Sequence, residues 1–291
     1  MGFFERDNAR LHFQEIGEGE PIIALHGLAQ HSDYWMKTGI ADALGKTYRF
    51  IALDLRGHGQ TTVEGEPKGY NIDTLVEDVR ALADHLSIDR FHLMGHSTGG
   101  MVASRFAMNY ASSKDDQTSE DDSRLLSLMM VNSSSSTQFS NLSETANAVA
   151  INMLATSFET FSWPMIIQGL KLDPGPLFAG IANANNRQAL YAQALELMKG
   201  SDGRSVGGFI REFYDDANPY VERLAKIVCP TLIITAELDH IFTKTSRILA
   251  EHIPRHTVHH HPSCGHMTAI EDPQWVINTL LIFLDIDALH L

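Results

Sequence analysis

The sequence predicts an α/β protein, a mostly parallel sheet flanked by helices and interrupted by one inserted helical segment. Three observations predict it. Short apolar runs alternate with helix-period stretches through the first part of the chain. A Gly-x-Ser-x-Gly stretch stands between one such run and a helical one. Residues 133–225 then carry several helical patterns and no convincing strand before the short apolar runs resume. Strands that alternate with helices argue for parallel pairing, because a parallel neighbour needs a crossover and the crossover is usually a helix.

In order, Arg10 to Ile16 reads as an edge strand closed by a Gly17-Glu18-Gly19 turn. Pro21 to Leu25, Tyr48 to Leu53, Phe91 to Met94 and Leu126 to Val131 are short, continuously apolar runs, the pattern of strands buried on both faces. Between them, Leu75, Val76, Val79, Leu82, Ala83 and Leu86 fall on one face of a helix over Ile72 to Leu86, with Asn71 or Asp73 as its cap. Residues 112–124 are polar and acidic with no apolar anchor, the composition of a solvated loop. Thr145 to Phe158, Trp163 to Leu170, Arg187 to Met198 and Ser205 to Tyr214 are the helical candidates of the insertion, punctuated by Pro164, Pro174, Pro176 and Pro219. Pro230 to Ala236 and His256 to His261 resume the sheet, and an amphipathic helix over Pro273 to Phe283 ends it. The expected division is a core of 1–132 and 226–291 with a helical insertion over 133–225.

The 291 residues suffice for one α/β core with such an insertion. A net charge of −14 argues against nucleic acid and anionic membranes as partners. Cys229 and Cys264 form no disulfide framework and read as free thiols of a reducing compartment. The N-terminus has no basic start followed by an apolar run. Gly2 lacks the Ser or Thr that myristoylation wants, since Arg6 stands there, and no stretch has the length of a membrane span. The expectation is a cytoplasmic protein without a cofactor, with a homodimer left open.

The chemistry centres on Gly95-His96-Ser97-Thr98-Gly99, which follows the strand Phe91 to Met94 and precedes a helical stretch, Met101 to Tyr110. In that context the serine sits on a sharp strand-to-helix turn, its hydroxyl thrust above the sheet over a helix N-terminus. A serine hydroxyl needs a base within hydrogen-bond reach. After such an elbow the acid comes next in the chain and the base last. Asp239 follows the strand Pro230 to Ala236, with Glu237 as competitor. His266, beside Gly265, follows the last strand. The position after the preceding strand, Asn132 to Thr137, holds no carboxylate. One oxyanion donor is the amide of Thr98, and a second is the amide of Leu28 in His26-Gly27-Leu28. His26 reads as a structural neighbour, and Asp54 to Gly59 as a tight turn braced by Asp54 and Arg56. His259, His260 and His261 are consecutive on a strand, so alternate side chains diverge and do not converge on one metal ion.

HG at 26–27, DLRGHG at 54–59, GHSTGG at 95–100, ELD at 237–239 and GH at 265–266 together resemble the α/β-hydrolase superfamily. The resemblance covers nearly the whole chain outside the insertion. It implies a mostly parallel, eight-stranded sheet with a helical cap over the pocket, and a serine esterase or lactonase with Ser97, Asp239 and His266 as triad. Members that cleave haloalkanes or epoxides place aspartate where Ser97 stands. A carbon–carbon hydrolase or lyase with the same triad, with Lys171 and Lys199 as the charged groups available in the insertion, is the first alternative. A ligand-binding receptor or pseudoenzyme is the second. The expected substrate is a small-to-medium hydrophobic molecule, with Trp35, Trp163, Met165, Tyr191 and Met267 on the substrate-binding wall. Phe178, Met198 and Phe209 are further apolar candidates from the insertion.

Overall fold

A computed structural model describes residues 1–65, 69–110, 124–137, 144–216 and 220–288. The acidic stretch 112–124 lies, apart from Arg124, outside the described residues.

The sheet contains β1 (Gly2–Arg6), β2 (Ala9–Ile16), β3 (Glu20–Leu25), β4 (Tyr48–Leu53), β5 (Thr62–Val63), β6 (Phe91–His96), β7 (Leu125–Val131), β8 (Thr231–Ala236) and β9 (His256–His261). Eight of them run in the order β1-β2-β4-β3-β6-β7-β8-β9, and the two-residue β5 pairs with β2 beside that path. All pairings from β4 onward are parallel; β1, β2 and β5 add an antiparallel edge. Central strands β3, β4, β6 and β7 are buried almost throughout, which accounts for their unbroken apolar runs. β9 is an edge strand and is largely exposed. Its histidines diverge as strand alternation requires: His260 meets Glu237 and His261 meets Asp272.

The helices before the insertion are α1 (Asp33–Lys37), α2 (Ile40–Leu44), α3 (Ile72–His85) and α4 (Thr98–Tyr110). The Asn71 side chain caps α3 by accepting from the Thr74 amide at 2.9 Å. Between β7 and β8 the described residues form six helices and no strand: α5 (Glu144–Thr160), α6 (Trp163–Leu172), α7 (Ala179–Asn183), α8 (Arg187–Met198), α9 (Gly203–Phe213) and α10 (Val221–Leu224). After β8 come α11 (Thr243–His252), α12 (Thr268–Glu271) and α13 (Pro273–Ala288).

β1, β5, α1, α2, α11, α12 and, in the insertion, the two helices α7 and α10 were absent from the sequence expectation. β1 is a half-buried edge whose sequence, GFFER, shows no clear two-residue alternation, and the two helices are five and four residues long. The turn at Asp54–Gly59 is braced as expected. Asp54 bonds His12 Nδ1 at 2.7 Å and accepts from the amides of Ser32 and Gln60. Arg56 is buried and donates twice to Asp78 of α3, at 2.6 and 2.9 Å. These bonds tie the loop after β4 to a core helix and to the loop after β3.

Candidate active site

Strand β6 ends at His96 and α4 begins at Thr98, so Ser97 alone makes the turn. Its φ is +52°, a conformation non-glycine residues rarely adopt and one that surrounding structure must enforce. The enforcing bonds are visible. The Ser97 amide donates to the Val131 carbonyl at 3.0 Å. The Ser97 carbonyl accepts from Gly100, Met101 and the Ser133 hydroxyl at 2.9, 3.1 and 2.6 Å. The glycines are needed because backbones touch here. A Cβ on Gly95 would overlap the Gly99 carbonyl, and one on Gly99 would stand 2.5 Å from the Leu25 oxygen.

His266 lies on the loop between β9 and α12, buried to 3% exposure. Its Nδ1 donates to Asp239 Oδ2 at 3.1 Å. Asp239 also accepts from Asn132 Nδ2 at 3.0 Å and from the Phe242 amide at 3.3 Å. Burial alone would raise the Asp239 carboxyl. The charge and hydrogen bond of His266, with Asn132 and the Phe242 amide, outweigh it and hold the group below its ordinary value. Glu237, the competing acid, points elsewhere, to His260 Nε2 at 3.1 Å.

Two more histidines frame the loops. His96 donates from Nε2 to the His266 carbonyl at 2.9 Å and stacks on Tyr34. Burial, with His266 nearby, pushes it down to about 3, so it stays neutral. His26 donates from Nδ1 to the Gly27 carbonyl and accepts at Nε2 from the Leu55 amide. With both ring nitrogens occupied, and burial pushing it down to about 4, it ties the loops after β3 and β4 together.

Ser97 and His266 line one cavity of about 230 Å³. No hydrogen bond joins the two side chains among the described residues, and such bonds often close only with substrate. Leu28 is on the cavity wall. The next residue, Ala29, has φ +59°, a second strained non-glycine position beside the cavity. Thr98 is fully buried behind Ser97, and its hydroxyl meets the Tyr214 hydroxyl at 2.8 Å. The wall is mainly aliphatic and aromatic, from Leu154 and Phe158 of α5, Ile166 and Leu170 of α6, and Leu197 and Met198 of α8. Among the described residues it carries no Asp, Glu, Lys or Arg.

Of the five side chains expected on the substrate wall, the cavity brings in Met267 and not the other four. Trp35 is fully buried in the core, edge-on to Tyr34. Trp163 packs on Phe158 and donates to the Ser201 carbonyl at 2.9 Å. Met165 points outward, 58% exposed. Tyr191 donates to the Leu170 carbonyl at 2.9 Å and stacks on Phe178. Periodicity marks an apolar helix face but does not say whether that face meets a neighbouring helix, solvent or a cavity. Of the further apolar candidates, Phe178 and Met198 are on the wall, while Phe209 packs against His58. Lys171 lies near the Tyr191 ring and Lys199 pairs with Glu196, both away from the wall. Tyr214 and Asn132 were not anticipated. Asn132 occupies the position after β7 that the sequence showed to lack a carboxylate, which was the one available signal.

Comparison with known proteins agrees with this architecture. A family model described as the alpha/beta hydrolase fold matches residues 20–163. A soluble epoxide hydrolase of Corynebacterium sp. is 38% identical over 98 residues, which is 34% of this chain and 33% of that protein. The chain thus spans about a third of the curated relatives it matches. A carboxylesterase structure from Nitrososphaera gargenis superposes with a TM-score of 0.81 at 19% identity, over 100% of both chains. The enol-lactonase from Burkholderia xenovorans superposes with a TM-score of 0.78 at 20% identity, over 98% of this chain and 100% of that one. At such identities the likeness is one of fold. A mostly parallel sheet, with a strained serine between its sixth strand and the following helix, defines the class: the chain has the α/β-hydrolase fold, and the family model supports that assignment over residues 20–163. No helix among the described residues is long and apolar enough to cross a membrane.

Proposed function

We propose that the chain is a serine hydrolase that cleaves an uncharged carboxylic ester or lactone through an acyl-enzyme. One observation carries this reading: the strained Ser97 opens into the same apolar cavity as His266, whose other ring nitrogen is held by the buried Asp239. His266 Nε2 takes the Ser97 proton as the hydroxyl attacks the carbonyl carbon. The Leu28 and Thr98 amides hold the oxyanion, each worth on the order of 3 kcal/mol in such a site. His266 then returns its proton to the leaving alkoxide. Water, deprotonated by the same ring, attacks the acyl-enzyme and releases the acid.

Helices of residues 133–225 act as the cap that closes the pocket. The wall composition sets the substrate class. A charged group would lose its water with no counter-charge to meet it, which disfavours ionic substrates. The same absence weighs against a lyase that needs a charged pocket residue.

The test is hydrolysis of p-nitrophenyl esters of graded acyl length, and of a set of lactones, by the wild type and by Ser97→Ala. The expected result is turnover with a medium-chain optimum that disappears in the variant. Turnover that survives in Ser97→Ala would assign the chemistry to another group. Absence of turnover in the folded wild type would favour a ligand-binding role.

A further inference from the structure

Glu271 ends α12, five residues after His266, and is a partly buried carboxylate with no part in the acyl-transfer steps. Its Oε2 accepts from the Gly265 amide at 2.7 Å and its Oε1 from the Met267 amide at 3.1 Å. These are the residues on either side of His266. Both oxygens of one carboxylate therefore clamp the short loop that carries the base. The Thr268 hydroxyl, bonded to the Gly265 carbonyl at 2.8 Å, ties the same loop from within.

The clamp is sealed by the helical insertion. A Cβ on Gly180 of α7 would overlap Glu271 Oε2 and the Gly265 amide. One on Gly265 would lie 2.9 Å from the Gly180 Cα. Two glycines thus let the α7 backbone rest directly on the clamp. Burial pushes the Glu271 carboxyl above its ordinary value, against the pull of the two amides and of His266 and His261.

We propose that Glu271 is a positioning residue. It fixes His266 by accepting both flanking amides, and α7 holds it in place through the Gly180–Gly265 contact, so that seating of the insertion and placement of the base are coupled. This inference rests on the hydrolase reading above. A loop free to shift by an ångström would still bind substrate but would hold the base out of reach of Ser97, a displacement that can cost on the order of 10²-fold in rate.

The experiment compares Glu271→Gln and Gly180→Ala with the wild type and Ser97→Ala. Glutamine keeps the shape but turns one acceptor into an NH₂ facing an amide N–H. The alanine methyl pushes on the clamp from the other side. Rates on a p-nitrophenyl ester are divided by the number of sites titrated with a fluorophosphonate, so that misfolded molecules are not counted. The expected result for both variants is a kcat per titrated site lower by about 10- to 100-fold, with KM within about twofold of wild type. A role confined to folding would lower the titre and leave kcat per site unchanged, and that outcome would overturn the proposal, as would a loss confined to KM. If Ser97→Ala still turns over, the hydrolase reading itself fails. If it does not, and Glu271→Gln matches wild type per site, only the positioning role falls.

Discussion

At the scale of single residues, the candidate site depends on who donates to whom. Asp239 is 2% exposed and accepts from three groups: His266 Nδ1, Asn132 Nδ2 and the Phe242 amide. Only a carboxylate can accept them all, and accepting from Nδ1 leaves Nε2 of His266 as the basic nitrogen. In Asp239→Asn the new amide must face one of these donors with its own N–H, or else force the imidazole into the other tautomer. The expected outcome is a kcat loss on the order of 10⁴-fold, with far-ultraviolet circular dichroism unchanged. A loss below tenfold, measured by ester hydrolysis, would mean that Asp239 does not orient the base.

At the scale of elements, what could be read in the sequence follows from how local each signal is. β3, β4, β6, β7 and β8 were legible because burial on both faces writes an unbroken apolar run. The elbow was legible because strand, serine, glycines and helix are contiguous. Asp239 and His266 were legible because chain order after the elbow limits the choice. Asn132 was not seen as a partner of Asp239, because 107 residues separate them. Tyr214 and Thr98 are likewise brought together by the insertion folding back over α4. The cap of α3 was left between Asn71 and Asp73, and local geometry decides it: the Asn71 oxygen accepts from the Thr74 amide, while Asp73 pairs with Arg105. Asn71→Ala should therefore cost about 1 kcal/mol and Asn71→Gly only a few tenths. Urea unfolding measures both; equal costs for the two would mean that the cap bond is not what stabilises this helix start.

For the whole molecule, the buried histidines tie stability to pH. Burial depresses His31, and it takes three others down further, to about 4 for His26 and about 3 for His58 and His96, from an ordinary value of 6.5. The sign follows. Between pH 6.5 and these depressed values the unfolded chain binds a proton at each ring and the folded protein does not. The stability they confer is whole above pH 6.5 and falls as the pH drops, by about 1.4 kcal/mol per pH unit for each ring. The two buried carboxylates with depressed values, Asp54 and Asp239, act later. Their contribution persists above 3.8, the ordinary value, and is lost as the pH falls below it. Acid destabilisation should thus come in two stages, with the first well above the carboxylate range. Urea unfolding at pH 7.5, 6.5, 5.5 and 4.5 is expected to give a near-constant free energy down to 6.5, then a drop of several kcal/mol by 4.5, a large part of a typical domain's stability of roughly 5–15 kcal/mol. A curve flat over that whole span would mean that these rings take up protons as readily in the folded protein as in the unfolded chain. The end of β6 and the loops after β3 and β4 would then be open to water, contrary to the packing described for them.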